Sequence, residues 1–163
     1  MEDIMKKNNE ESIMDIISKL RDIDYINPED IPNIDLYMDQ VTTFMDARLA
    51  SCKRSDDDKI LTKTMINNYT KNNLLPPPEK KKYSKEHLLL LIYIYYYKSI
   101  LSIGDIQSLL EPLTDRYFHN EGEFNMQSIY EEVFSLEKSQ VEKMKQDVID
   151  KYHIASDIFT DAA

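Results

Sequence analysis

The sequence predicts an all-α fold, and three observations carry that prediction. Only two glycines occur in 163 residues, whereas sheet-rich folds need many turns with φ > 0, where glycine is the usual residue. Several stretches repeat their apolar residues at helical spacing. The longest apolar run, Leu88 to Tyr97, follows a Ser84 cap and has no strand pattern nearby to pair with.

The first predicted helix covers residues 9–20, where Ile13, Ile16, Ile17 and Leu20 share a face and Asn9 or Ser12 can cap the start. Pro28 and Pro32 then end it and enforce an extended linker, packed through Ile26, Ile31 and Ile34. Asp35 opens a second helix whose inner positions are Leu36, Val41, Phe44, Met45, Arg48 and Leu49. The polar run from Cys52 to Lys59 breaks that pattern. Its acids Asp56, Asp57 and Asp58 lack the alternating ligands, central glycine and distal glutamate of a calcium loop, and read as a solvated loop.

Thr62 is the natural N-cap of a third helix, with Met65, Ile66 and Tyr69 inward. Its outward set, Lys63, Thr64, Asn67, Asn68 and Lys71, suits base edges and phosphates, because Asn bonds adenine bidentately and Lys meets guanine or phosphate. Two asparagines in mid-helix cost stability without local benefit. Asn72 and Asn73 suit a left-handed C-cap. Leu74 and Leu75 return to the core. Pro76, Pro77 and Pro78 then stiffen a loop that comes back through Lys80, Lys81, Lys82 and Tyr83, a compact positive tip. A solvated hairpin kept soluble by charge is the alternative reading of that tip.

Ser84 caps a core helix in which Tyr93, Tyr95, Tyr96 and Tyr97 are packing residues with wet hydroxyls. Ser102 caps another, with Ile103, Ile106, Leu109 and Leu110 inward and Pro112 closing it. A loop around Gly122 leads to a last helix from about Asn125 to Tyr152. There Tyr130, Phe134, Val141, Met144 and Val148 approximate a heptad seam interrupted by Glu137. Such a seam fits a dimer helix or a helix folded back on the domain. The tail after it is expected to fray.

Charge is segregated along this plan. Residues 1–47 carry 4 basic and 12 acidic side chains, 48–98 carry 11 and 5, and 99–163 carry 5 and 13, for a total of −10. Exposed charges are screened beyond about 8 Å at physiological salt, so the local balance of +6 in the middle outweighs the sum. Acidic flanks then help aim the basic middle at a polyanion. Chance segregation is the bland alternative.

Other classes of function find little footing. One cysteine, Cys52, rules out an internal disulfide framework and a multi-cysteine zinc site. His87, His119 and His153 lack metal-ligand spacing, and no Gly-rich phosphate loop or nucleophile motif occurs. The chain is therefore expected not to be an enzyme and to need no cofactor or metal. Its N-terminus lacks the apolar region of a signal peptide, and no stretch reaches the roughly 20 apolar residues of a membrane span. The expectation is a soluble cytoplasmic protein.

The order Leu74–Leu75–Pro76, Tyr83, Ser84-x-Glu86 and Leu101–Ser102–Ile103–Gly104–Asp105–Ile106 resembles the DNA-binding half of MerR-type regulators. More closely, residues 34–113 resemble an uncharacterised bacterial family, domain of unknown function eighteen-thirty-six, which brings no established activity. The MerR likeness implies a winged helix-turn-helix core with at most a tiny β wing. The recognition helix falls near 62–72, and the basic wing near 76–83. It implies a DNA-binding transcriptional regulator that contacts double-stranded DNA as a homodimer through Lys63, Thr64, Asn67, Asn68, Lys71, Lys80, Lys81, Lys82 and Tyr83. The usual Arg-Tyr-Tyr of the recognition helix is replaced by Asn67–Asn68–Tyr69, and the loop at 52–59 is long for a tight helix-turn-helix. The organisation expected is an N-terminal helix and linker at 1–33, the winged domain at 34–113, and a C-terminal helix region at 114–163. An all-α protein-interaction module without DNA binding stands beside this reading.

Overall fold

The computed structural model describes residues 1–20, 26–50, 56–57 and 59–161. Cys52, Asp58, Ala162, Ala163 and the side chain of Leu20 lie outside the described residues. The fold is mostly helical, with six α-helices and one two-stranded sheet among the described residues. In chain order these are α1 (Glu2–Leu20), β1 (Leu36–Tyr37), α2 (Met38–Arg48), α3 (Lys63–Lys71), β2 (Lys82–Tyr83), α4 (Lys85–Tyr97), α5 (Ile103–Tyr117) and α6 (Met126–Asp161). No described helix is long and apolar enough to cross a membrane. The chain forms two compact units, Tyr25–Glu131 and the combination of Met1–Asp24 with Glu132–Ala163.

The core of the first unit is α4. Eight consecutive residues from His87 to Ile94 are buried. A helix with one wet face cannot do this, so α4 is covered on all sides. Val41, Met45 and Leu49 of α2 are fully buried at spacings of four, as are Ile66 of α3 and Ile106 and Leu110 of α5. Each such side chain contributes about 1.5–3 kcal/mol on burial. Tyr93 meets Tyr130 edge-on at 5.5 Å, and the Tyr130 hydroxyl donates to the Ile26 carbonyl at 2.6 Å. The linker is thereby stitched to the first turns of α6. Within the linker Pro28 starts a 3-10 turn at Pro28–Asp30, capped by the Asn27 side chain. Proline suits that position because its missing N–H would have no partner there. Ile26 and Ile31 are buried as expected, whereas Ile34 is 67% exposed.

Other expectations also need correction. Leu36 is buried, but in β1 rather than in a helix, and α2 begins at Met38. Antiparallel pairing with β2 overrides the helical periodicity there. Pro112 does not close α5, which continues to Tyr117. The exposed proline removes one backbone donor, and Thr114 Oγ1 bonds the Leu110 carbonyl at 3.0 Å across the next turn. Ile103 and Leu109 of α5 are about half exposed rather than inward. Finally, α6 does not fray after Tyr152 but runs to Asp161, since neither glycine nor proline interrupts it.

In the second unit α1 starts at Glu2, not near residue 9, with Asp3 in the first turn suiting its N-terminal dipole. Glu10 Oε1 lies 3.8 Å from His153 Nδ1 of α6, and Ile13, Met14, Ile149 and Tyr152 line one groove. The residues of the expected seam are covered unequally in the single chain. Phe134 is buried, Met144 and Val148 are nearly half exposed, and Lys145 is buried with its ammonium 3.2 Å from Glu142.

Candidate nucleic-acid interface

Helix α3 is built as its sequence indicates. Thr62 Oγ1 accepts from the Met65 N–H at 3.2 Å and caps the start. Asn73 takes the left-handed conformation at φ 60° just past the C-cap Asn72. The Tyr69 carbonyl then accepts from both Leu74 and Leu75, at 2.9 and 3.2 Å, turning those buried leucines into the core. Ile66 and Tyr69 are buried, and burial pushes the Tyr69 hydroxyl above its ordinary pKa. Lys63, Thr64, Asn67, Asn68 and Lys71 are all exposed. Together they give the outer face two amides, a hydroxyl and two ammonium groups, with no acid on α3 itself.

The segment after α3 closes in a small hairpin at the position expected for the wing. Glu79 and Lys82 exchange two backbone hydrogen bonds, at 3.1 and 2.9 Å, and close a two-residue hairpin turn. Its central residues, Lys80 and Lys81, have φ of 50° and 63°. Such turns favour Asn-Gly, because a side chain at positive φ costs roughly 1–2 kcal/mol. Two lysines here are a local cost that the turn itself does not need. Both side chains are exposed at the tip.

β1 and β2 hold the wing to the body, with Leu36 opposite Tyr83 and Tyr37 opposite Lys82. The half-buried Lys82 puts its ammonium 5.1 Å from the centre of the Tyr37 ring. Lys63 pairs with the Asp39 carboxylate two residues further on. Lys85 Nζ reaches Asn33 Oδ1 at 3.4 Å. The start of α3 and the return strand of the wing thus meet the same short segment, Tyr37–Asp39. Tyr83 is the exception among the expected contact residues. Strand pairing and an edge-on contact with His87 leave it 3% exposed, so it anchors the wing instead of presenting its ring.

His87 is the buried root of this wing. Its Nδ1 accepts from the Ser84 N–H at 3.0 Å, and its Nε2 donates to the Pro77 carbonyl at 3.3 Å. That assignment makes the ring neutral, because a protonated Nδ1 could not accept. Burial lowers the pKa of His87 from its ordinary value, with the Pro77 carbonyl opposing. Phe118 packs edge-on against the same ring at 5.0 Å. Beside it, the His119 N–H donates to both Glu86 oxygens at 3.0 and 3.1 Å, while burial raises the Glu86 pKa. His119 Nε2 also lies 3.9 Å from Glu79. The Glu79 and Glu86 carboxylates lie beside different ring nitrogens of His119. No group of His, Cys, Asp or Glu able to hold a metal occurs among the described residues.

Sequence reasoning missed the supporting residues Tyr37, Asp39, His87 and His119. One was within reach, since Ser84-x-x-His87 has the spacing of a capping box with histidine in the acceptor position. The others depend on contacts between distant segments.

A family model described as Domain of unknown function (DUF1836) matches residues 26–133, about two thirds of the chain. The chain belongs to the DUF1836 family. The DUF1836 match takes in both strands, α2 to α5 and the start of α6, a wider range than the 34–113 that the sequence suggests. It therefore includes α3, the wing and the whole His87 network. No curated protein and no solved structure matches the chain.

Proposed function

We propose that the DUF1836 unit binds double-stranded DNA through the outer face of α3 and the lysine tip of the wing. In this reading it is a transcriptional regulator of MerR-like winged helix-turn-helix type, acting as a homodimer. The observation that carries the reading is that Lys63 at the start of α3 and Lys82 in the wing both reach the short segment Tyr37–Asp39. A recognition helix and a wing must lie side by side to reach one duplex.

Charge and strain add support. Lys63, Lys71, Lys80 and Lys81 are exposed cations within a segment whose net charge is +6, in a chain of net −10. Strained lysines at a turn are best explained by a partner that needs them, since the fold does not. Asn67 and Asn68 supply bidentate amides suited to adenine, and the lysines supply phosphate contacts. A dimer would present two α3 helices to a palindromic or pseudo-palindromic site.

The test separates the two kinds of contact. Charge reversal of Lys80, Lys81 and Lys82 should weaken binding to all duplexes alike. Replacing Asn67 or Asn68 should instead relax sequence choice, costing about 1–3 kcal/mol at the affected base pair. Identical behaviour of the two sets would refute the assignment. Binding to an acidic protein, with no affinity for any duplex, would favour the interaction-module reading.

A further inference from the structure

The most informative acid on this face is Asp39. It lies in the first turn of α2, with its side chain 78% exposed and its carboxylate on the Lys63 ammonium, itself 60% exposed. A pair this open contributes about 0–1 kcal/mol. It orients Lys63 without locking it. A helix N-terminus is also where a phosphate oxygen is favoured, because free N–H groups and the helix dipole point there. Asp39 thus puts an anion of this chain beside the lysine at the start of α3, where the proposed interface would receive an anion of the nucleic acid.

We propose that Asp39 is an internal stand-in for a DNA phosphate. In the free protein it holds the Lys63 ammonium in place. On binding it yields that cation to the backbone and remains beside it as a repulsive charge. This inference rests on the DNA-binding reading above. Asp39 thereby lowers affinity for every duplex alike, so that binding relies on the base contacts of Asn67 and Asn68. An acidic chain with one weakly restrained lysine at its recognition helix then avoids indiscriminate attachment to polyanions.

The test measures duplex binding by fluorescence anisotropy across a salt series for the full chain and for D39N, K63M and the D39N/K63M double variant. D39N should tighten binding to all sequences by roughly two- to fivefold. It should also steepen the slope of log K against log salt by about one. In the K63M background the gain from D39N should fall to less than half. D39S serves as a second neutral variant, and circular dichroism confirms folding in each case. An unchanged affinity and slope in a folded D39N or D39S protein overturns the inference while leaving the DNA reading intact. An equal gain with and without Lys63 also overturns it, since Asp39 would then act without the pair. Absence of binding by wild type and variants at the lowest salt removes the DNA reading and this inference together.

Discussion

Leu36 stands opposite Tyr83 in the two-stranded ladder, both buried, and this pairing with its neighbour Tyr37–Lys82 joins the segment before α2 to the end of the wing. Tyr83 in turn meets His87, and His87 holds Pro77 and Ser84. The wing is therefore held at its outgoing arm and its return arm by contacts that converge on the first turn of α4. Replacing Tyr83 with Ala is expected to destabilise the unit by about 3–5 kcal/mol, the range for a buried aromatic. Chemical denaturation read by circular dichroism measures it.

His87 should leave a pH signature. Its folded pKa is depressed below the ordinary 6.5, so the unfolded chain binds the extra proton first as pH falls. The stability it contributes is fully present above about 6.5 and declines as pH drops toward and through the lower folded value. H87Q should remove that decline. The difference between wild-type and H87Q denaturation midpoints, measured from pH 8 to 5, reports this residue alone.

The wing tip should show a trade between stability and binding. Replacing Lys80 and Lys81 with Asn-Gly fits positive φ at both positions and is expected to stabilise the protein by about 1–2 kcal/mol. The same change removes two tip cations. The slope of log K for DNA against log salt should become shallower by nearly two. Thermal melts and a binding series on one variant test both halves.

The core of α4 tolerates little. Leu91 is fully buried in a helix covered on all sides, and Leu91→Ala is expected to cost about 2–5 kcal/mol through lost burial and a residual cavity. Leu109→Ala, on an exposed part of α5, should cost far less. Parallel denaturant titrations make the comparison.

What was legible in the sequence was what local chemistry decides. Thr62, Ser84 and Ser102 each cap the helix that follows them, because a hydroxyl satisfies N–H groups within three residues of itself. Val41 and Met45 of α2 and Ile66 and Tyr69 of α3 were readable as inward for the same reason, since periodicity is a local property, whereas Arg48, expected on the inner face, is exposed. What was not legible depends on partners far along the chain. Leu36 continues the helical pattern of α2 and becomes a strand only because Tyr83 lies opposite it. The exposed face of α3 could be named residue by residue, whereas the tie between Lys63 and Asp39 crosses the loop at 52–59. Proline 112 misled because its sequence rule concerns the missing bond, and a single lost bond at an exposed position does not end a helix.

The most direct measurement is the binding of the full chain to a library of genomic duplexes at 50, 100 and 200 mM salt. A defined subset of sequences is expected to be retained, with log K falling linearly against log salt and a slope between about −2 and −5 for the lysines of α3 and the wing. Retention of no duplex even at 50 mM, or affinity that does not change with salt, would contradict it.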